Sequence, residues 1–385
     1  MKTQSIRITI VALLVTFSIV TACESESNPT PETESDELID EETPDNEEEG
    51  NGEEGNEEEG NEEEENDDED NNEDEEDESD TDNPTASVVE THGRLQVSGN
   101  KILDKNNDVI QLRGMSLFWS QWMGQYYTEE AISWLKNDWN CNIVRAAMGV
   151  EDSDGYLSNK ETEKQKVFTV IDAAIKEGIY VIVDWHSHHA EDYVNEAKSF
   201  FAEVAQKYGD SPNLIYEIYN EPLNVSWTEV LKPYHEEVIA SIREFDSDNL
   251  IICGTRTWSQ DVDEVIGNTI NDNNVAYTLH YYAATHKQSL RDKAQNAINN
   301  NIPIFVTEYG VSEASGDGSI DENEARTWWD FLDQNKISWC NWSIADKDEL
   351  SAALKPGASG LGGWTEDQLT TSGAMVRNEI ISKNP

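Results

Sequence analysis

The sequence predicts an α/β fold over residues 86–385, a (β/α)8 TIM barrel with a short N-terminal β-hairpin and an acidic disordered linker ahead of it. Three observations lead there. Short apolar runs alternate with amphipathic stretches about eight times in some 300 residues, the pattern of strand–helix units around a parallel sheet. No Gly-x-Gly-x-x-Gly follows the first of those runs, which argues against a doubly wound nucleotide-binding sheet. Polar and aromatic residues gather where the apolar runs end, and that is the face on which barrels build their sites.

Residues 1–22 read as an export signal. Lys2 and Arg7 precede an uncharged apolar run from Ile8 to Ala22, a charged n-region followed by an h-region. The run of fifteen residues is shorter than the ~20 a spanning helix needs. Val20-Thr21-Ala22-Cys23 puts small residues directly before a cysteine and resembles a bacterial lipoprotein box, with Cys23 as the lipidated first residue of the mature chain. Several acyl chains on one cysteine anchor stably, whereas one chain binds only marginally.

Residues 23–85 form the lipidated cysteine and its linker. Positions 24–85 hold 34 of the 80 acidic residues, no Lys or Arg, and a ragged Gly-Asn-Glu-Glu-Glu repeat. Almost nothing apolar is present to offset the entropy of ordering. As a flexible coil these 62 residues span roughly 45 Å, a self-repelling stalk rather than a calcium sponge. The expected location is the outside of a cell, lipid-anchored to a bacterial membrane.

Residues 86–385 carry 46 acidic and 24 basic residues out of a chain whose formal charge is −54. Such a surface repels phosphate backbones, so a nucleic-acid partner is excluded. The length suits one domain with a large core, expected as a monomer without a cofactor. Leu95-Gln96-Val97 and Val109-Ile110-Gln111 flank Asp104-Lys105-Asn106-Asn107 and read as the hairpin. Strands are expected at 112–118, 142–147, 179–185, 213–219, 249–254, 275–281, 302–307 and 338–343, with helices at 161–177, 191–207, 321–335 and 365–382.

The strand exits carry Arg145, Trp185-His186, Asn220-Glu221-Pro222, His280-Tyr281-Tyr282, Thr307-Glu308-Tyr309-Gly310 and Asn341-Trp342. Asp184 and Glu217 are exceptions inside otherwise apolar strands. A buried strand does not cheaply continue into Glu or Arg, so six polar exits together mark a cleft. Glu221 and Glu308 fall on the fourth and seventh strands, able to face each other across the barrel. Paired carboxylates over a sugar site are what glycoside hydrolysis needs, one protonated and one ionised. A negative Glu308 disfavours ionising Glu221, so the proton is expected on Glu221. The competing reading is a pair of rim salt bridges.

Several motifs carry a resemblance. They are Leu112-Arg113-Gly114-Met115-Ser116, Asn142-Ile143-Val144-Arg145, Asn220-Glu221-Pro222 and Thr307-Glu308-Tyr309-Gly310, with the more specific runs Gly254 to Val262, Leu279 to His286 and Ser338 to Ser343. Together they resemble glycoside hydrolase family 5, and within it the bacterial endo-β-1,4-glucanases (cellulases). The resemblance implies Glu221 as general acid/base and Glu308 as nucleophile of a retaining double displacement on β-glucan. It also implies that Arg145 and Tyr282 hold Glu308 ionised and that Asn220 meets the sugar 2-hydroxyl. His186 and His280 would line the cleft floor, and Trp342, Trp122 and Trp258 would stack on sugars. Lys347 and Glu349 would bond hydroxyls on the non-reducing side. For the tryptophans, Trp258 above all, core packing is the competing reading. Many relatives carry histidine where this chain has Phe118, which touches fine specificity rather than chemistry.

His186-Ser187-His188-His189 invites a metal reading, but metal hydrolases of that kind add an aspartate on the last strand, where this chain has Trp342; His188 and His189 are read as loop residues. Cys141, Cys253 and Cys340 are expected as buried small hydrophobes, with a pairing between two of them left open. Three functions compete: an endoglucanase, a sibling β-glycanase acting on mannan, mixed-linkage glucan or xyloglucan, and a non-catalytic glycan-binding surface protein.

Overall fold

Eight parallel strands close into a barrel, each beside its neighbour in the chain and the last beside the first. They are β3 (Arg113–Leu117), β4 (Ile143–Gly149), β5 (Tyr180–His186), β6 (Leu214–Glu217), β7 (Ile251–Cys253), β8 (Val275–Tyr282), β9 (Ile304–Gly310) and β10 (Trp339–Ile344). The computed structural model describes residues 86–384; the signal segment, Cys23 and the acidic linker lie outside the described residues.

Nearly every strand residue is buried, because helices cover the outer face and side chains fill the inner one. Side-chain direction alternates with a period of two, and this decides what enters the barrel. On β5, Val181, Val183 and Trp185 pack outward in the large cluster under the helices, whereas Tyr180 and Ile182 belong to the smaller cluster inside. Asp184 and His186 continue that inward series. On β6, Tyr216 packs outward and Ile215 inward, so Glu217 also points in, and the register sets Asp184 beside Glu217. The lower barrel is therefore an apolar plug and the upper barrel is charged.

Helices cover the strands where amphipathic stretches were expected. The helix Lys160–Glu177 ends at Gly178, whose φ of +67° is the left-handed conformation that stops a helix. Asp321 caps Glu322–Asn335 by accepting from the Glu324 N–H at 3.0 Å. Two starts come later than the sequence pattern indicates. Residues 190–193 form a 3₁₀ turn before the helix Val194–Tyr208. The last helix runs Thr371–Lys383, because Thr370 caps Gly373 at 3.0 Å and Leu369 bridges to Leu354 instead.

The hairpin exists with a different second strand. β1 (Gln96–Ser98) pairs antiparallel with β2 (Lys101–Leu103) across the tight Gly99-Asn100 turn. Val109 joins only through a bridge to Leu103. The Asp104 carboxylate accepts from the Asn106 and Asp108 N–H groups at 2.8 and 3.0 Å, which makes 104–108 a turn of its own. Leu95, Ile102 and Ile110 pack with the inward residues of the barrel and close its lower end. Cys141, Cys253 and Cys340 are buried and free.

Candidate active site

Arg145, on β4, points into the upper barrel and is fully buried. Its Nε donates to Glu217 at 2.7 Å, and Nη2 donates to Asn220 Oδ1 at 2.7 Å and meets Asp184 at 2.9 Å. Nη1 donates to Glu308 Oε2 at 3.0 Å. One guanidinium thus joins the exits of β5, β6 and β9. Its planar fork suits this task, since no ammonium presents donors in several fixed directions. Tyr282 Oη donates to the other Glu308 oxygen at 2.8 Å.

Glu221 follows β6 and comes toward Glu308 across the barrel. A carboxylate oxygen of each and a ring nitrogen of His280 lie within 4.8 Å of one another. His280 Nδ1 sits 3.0 Å from Glu221 Oε1, and His188 Nε2 sits 3.1 Å from Oε2. The second nitrogen of His280 faces Thr307 Oγ1 at 2.8 Å, and Thr307 in turn donates to Glu217 at 2.6 Å. Three such close donors could reach a single cation. However, the His280 nitrogen already faces Glu221, and Glu308 is engaged by Arg145 and Tyr282, so protein cations and hydroxyls already occupy the set.

The electrostatics differ from the sequence expectation. Burial pushes the Glu221 carboxyl up, but hydrogen bonds and charge from His188 and His280 outweigh it and bring it down to about 2. For Glu308 burial comes first and the Glu221 charge second, and together they raise it against His280, Arg145 and Tyr282. Burial opposes the charge on His280, yet the nearby carboxylates of Glu217 and Glu221 lift it to about 9. His186 is pushed well below the ordinary range by burial and then by Arg145, so it is neutral. The histidines thus draw Glu221 down, while burial and the Glu221 charge push Glu308 up.

Aromatic side chains flank the carboxylates. Trp342 is buried and stacks on His186 with centroids 5.1 Å apart and planes 3° apart. His186 is held by Asp184 at 2.6 Å. Phe118 lies 5.0 Å from Trp342 and 6.4 Å from Trp122, which is 48% exposed. Lys347 pairs with Glu349 at 2.5 Å and stands over Phe118. On the opposite side a cavity of about 400 Å³ is lined by Glu221, Trp258, Gln260, His280, Tyr282 and His286. A larger cavity of about 510 Å³ opens among Asp104, Arg113, Lys136, Lys383 and Asn384, far from the paired carboxylates, so the chemistry is assigned to the smaller one.

Trp258 is 47% exposed, which argues against core packing. Thr257, Trp258 and Ser259 have φ values of +59°, +53° and +55°, costly for side chains with a Cβ. Thr257 and Trp258 N–H groups donate to the carbonyls of Leu223 and Pro222 at 3.1 and 2.9 Å, and Ser259 Oγ donates to the Asn220 carbonyl at 2.7 Å. The Trp258 loop is thereby tied to the loop that carries Glu221.

Three participants escaped the sequence reading. Asp184 and Glu217 stood out as charged residues within strands, and period two alone places them inside. His188, read as a loop residue, reaches Glu221, which only the path of the loop reveals.

Residues 103–348 match the family Cellulase (glycosyl hydrolase family 5). The chain is 47% identical over 300 residues to Endoglucanase N of Pectobacterium atrosepticum, covering 77% of this chain and 67% of that one. Against Endoglucanase 5 of Pectobacterium carotovorum the match spans 59% of the relative's length. A solved structure from Cytophaga hutchinsonii is 54% identical with a TM-score of 0.77, covering 78% of this chain and 98% of that one. The catalytic domain of a Thermobifida fusca endoglucanase, solved in complex with cellotetraose, is 36% identical with a TM-score of 0.74, covering 77% and 100%.

The buried ion cluster makes a prediction about stability. Arg145→Met leaves three buried carboxylates without their cation, an expected loss of ~3–5 kcal/mol near neutral pH in urea unfolding. For Glu217 burial opposes ionisation but Arg145 prevails, so folding lowers its value below 4.5. The stability this contributes is present above pH 4.5 and lost as pH falls through the lower folded value. The gap between wild type and variant should shrink over that window; a gap constant with pH would contradict the account.

Proposed function

The chain belongs to the cellulase family, glycosyl hydrolase family 5, as an endo-β-1,4-glucanase glycoside hydrolase, and on that premise we propose that it cuts internal bonds of cellulose-type β-glucan by a retaining double displacement. The observation that carries this reading is the closeness of Glu221 and Glu308, with oxygens within 4.8 Å. Retaining enzymes hold their carboxyl groups ~5–5.5 Å apart, whereas inverting ones leave ~6.5–9.5 Å for a water.

Glu308 is the nucleophile. Arg145 and Tyr282 fix both of its oxygens and stabilise the anion, leaving it aimed at the anomeric carbon. Glu221 is the acid/base. It gives a proton to the departing glycosidic oxygen while Glu308 forms the glycosyl ester. Esterification removes the Glu308 charge, and Glu221 then takes a proton from the water that releases the sugar. Asn220 spends its oxygen on Arg145, which leaves its amide hydrogens for the sugar 2-hydroxyl.

The glucan lies along the cleft. Trp342, Phe118 and Trp122 offer apolar faces on one side of the cut, with Lys347 and Glu349 for hydroxyls. Trp258 offers a face on the other. The cellotetraose held by the Thermobifida relative supports a glucan substrate. A sibling specificity for mannan, mixed-linkage glucan or xyloglucan is the second reading, favoured by Phe118, an apolar ring where a hydrogen-bonding side chain is common.

Glu221→Ala should lower cleavage of soluble cellulose derivative by ~10²–10⁴-fold, the usual worth of a general acid, and Glu308→Ala by more. With an activated aryl cellobioside, azide should restore turnover in both, giving the β-glycosyl azide with the first and the α with the second. Wild-type activity in either variant would overturn the assignment. Side-by-side assays on carboxymethylcellulose, mannan and xyloglucan decide the substrate, and inactivity on all three returns the protein to glycan binding.

The anchor at Cys23 is part of the proposal, as a tether holding the enzyme at the cell surface as a monomer. Cys23→Ser should release the enzyme into the medium and abolish labelling by radioactive palmitate. Finding the wild type free in the medium with Cys23 unmodified would sink the tether.

A further inference from the structure

A general acid has to hold a proton at working pH, and Glu221 is held down to about 2 by its histidine neighbours. Its two histidine neighbours differ. His280 is buried and its far nitrogen is bonded to Thr307. His188 is 33% exposed at its side chain, so it meets solvent as well as Glu221.

Nor is His188 a loose loop residue. Its N–H donates to Glu151 Oε1 at 2.7 Å, and its carbonyl accepts from the Tyr219 hydroxyl at 2.9 Å. Its ring lies 5.7 Å from that of Trp119. The second oxygen of Glu151 is buried without a partner. An unsatisfied buried oxygen costs free energy, and this one belongs to a carboxylate whose charge favours an imidazolium at His188.

We propose that His188 is a positioning residue that keeps the proton Glu221 uses: it fixes the carboxyl through Nε2, shares one proton with it, and exchanges that proton with water. The proposal rests on Glu221 being the acid/base. In the first step the shared proton moves from Nε2 to Glu221 Oε2 and on to the glycosidic oxygen, leaving the imidazole neutral and the carboxylate ionised. The C1–O electron pair stays on that oxygen, and Glu308 forms the new bond to C1. In the second step water's proton goes to Glu221 and a proton returns to His188. Neutralising Glu221 also removes the charge that pushes Glu308 up, so one transfer prepares both carboxylates.

The groups around His188 agree. Burial lowers the His188 value, but the bond and charge of Glu221, with Glu151 and, farther off, Glu308, outweigh it and raise the value above 6.5. His280 is the neighbouring cation, His186 is neutral, Trp119 and Tyr219 are uncharged, and Glu191 bonds the Tyr219 hydroxyl. The shared proton therefore stays on the pair until pH rises through the His188 value. Without the imidazole the carboxyl alone has to hold it.

The test is the pH profile of kcat/KM for the full chain on phenyl β-cellobioside. His188→Asn should move the alkaline limb toward acid by about one unit or more, with KM within about twofold. Glu151→Gln keeps an acceptor for the His188 N–H but removes the charge; it should move the limb the same way by less, and it decides the matter if the first variant does not fold. An alkaline limb unmoved in the folded variants, or moved toward alkali, overturns the proposal. The acid/base reading is checked separately on 2,4-dinitrophenyl β-cellobioside, whose leaving group needs no proton. There Glu221→Ala should still form the glycosyl-enzyme at the wild-type rate; if it does not, the acid reading fails whatever the His188 limb shows.

Discussion

Arg145 meets carboxylate oxygens from three strand exits at 2.7 to 3.0 Å, in a part of the barrel closed to water. Asp184 and Glu217 have no other route into such a place, because a lone buried carboxylate is expelled or neutralised. Replacing the cluster with apolar side chains would make a barrel at least as stable. What the cluster adds is position. The same guanidinium that satisfies the two inward acids also reaches Glu308 and Asn220, so the Glu308 carboxylate and the amide beside Glu221 are aligned by one rigid plane.

Around that plane the site is built in two coupled halves. Glu308 is fixed from the barrel interior by Arg145 and Tyr282, whereas Glu221 is fixed from the loops by His280 and His188. The Trp258 loop is strapped to the Glu221 loop through Pro222, Leu223 and Asn220. Backbone conformations as unfavourable as those at Thr257 to Ser259 persist only where surrounding bonds over-determine them. The consequence is that the backbone carrying Trp258 is held at a fixed place relative to Glu221.

The barrel was legible in the sequence because parallel strands buried on both faces leave unbroken apolar runs, and each strand range read from those runs overlaps the one observed. The paired glutamates were legible for the complementary reason, as carboxylates at the ends of such runs. Other features were hidden. The hairpin's second strand was misplaced because Lys101–Leu103 is short and only the Gly99-Asn100 turn marks it. Helix starts slipped where 3₁₀ turns and the Thr370 cap intervene. His188 was hidden because it touches Glu221 across 33 positions of sequence, a contact made by the loop path. The downward pull on Glu221 was hidden for the same cause: the histidines that bond it are not visible in any local pattern.

The central claim is that Glu221 and Glu308 act as a close pair, one carrying the proton and one forming a bond to sugar. Proton NMR of the first product released from a cello-oligosaccharide by the purified enzyme tests it most directly. The β anomer is expected at the new reducing end before mutarotation. The α anomer would mean single displacement by water and would contradict it.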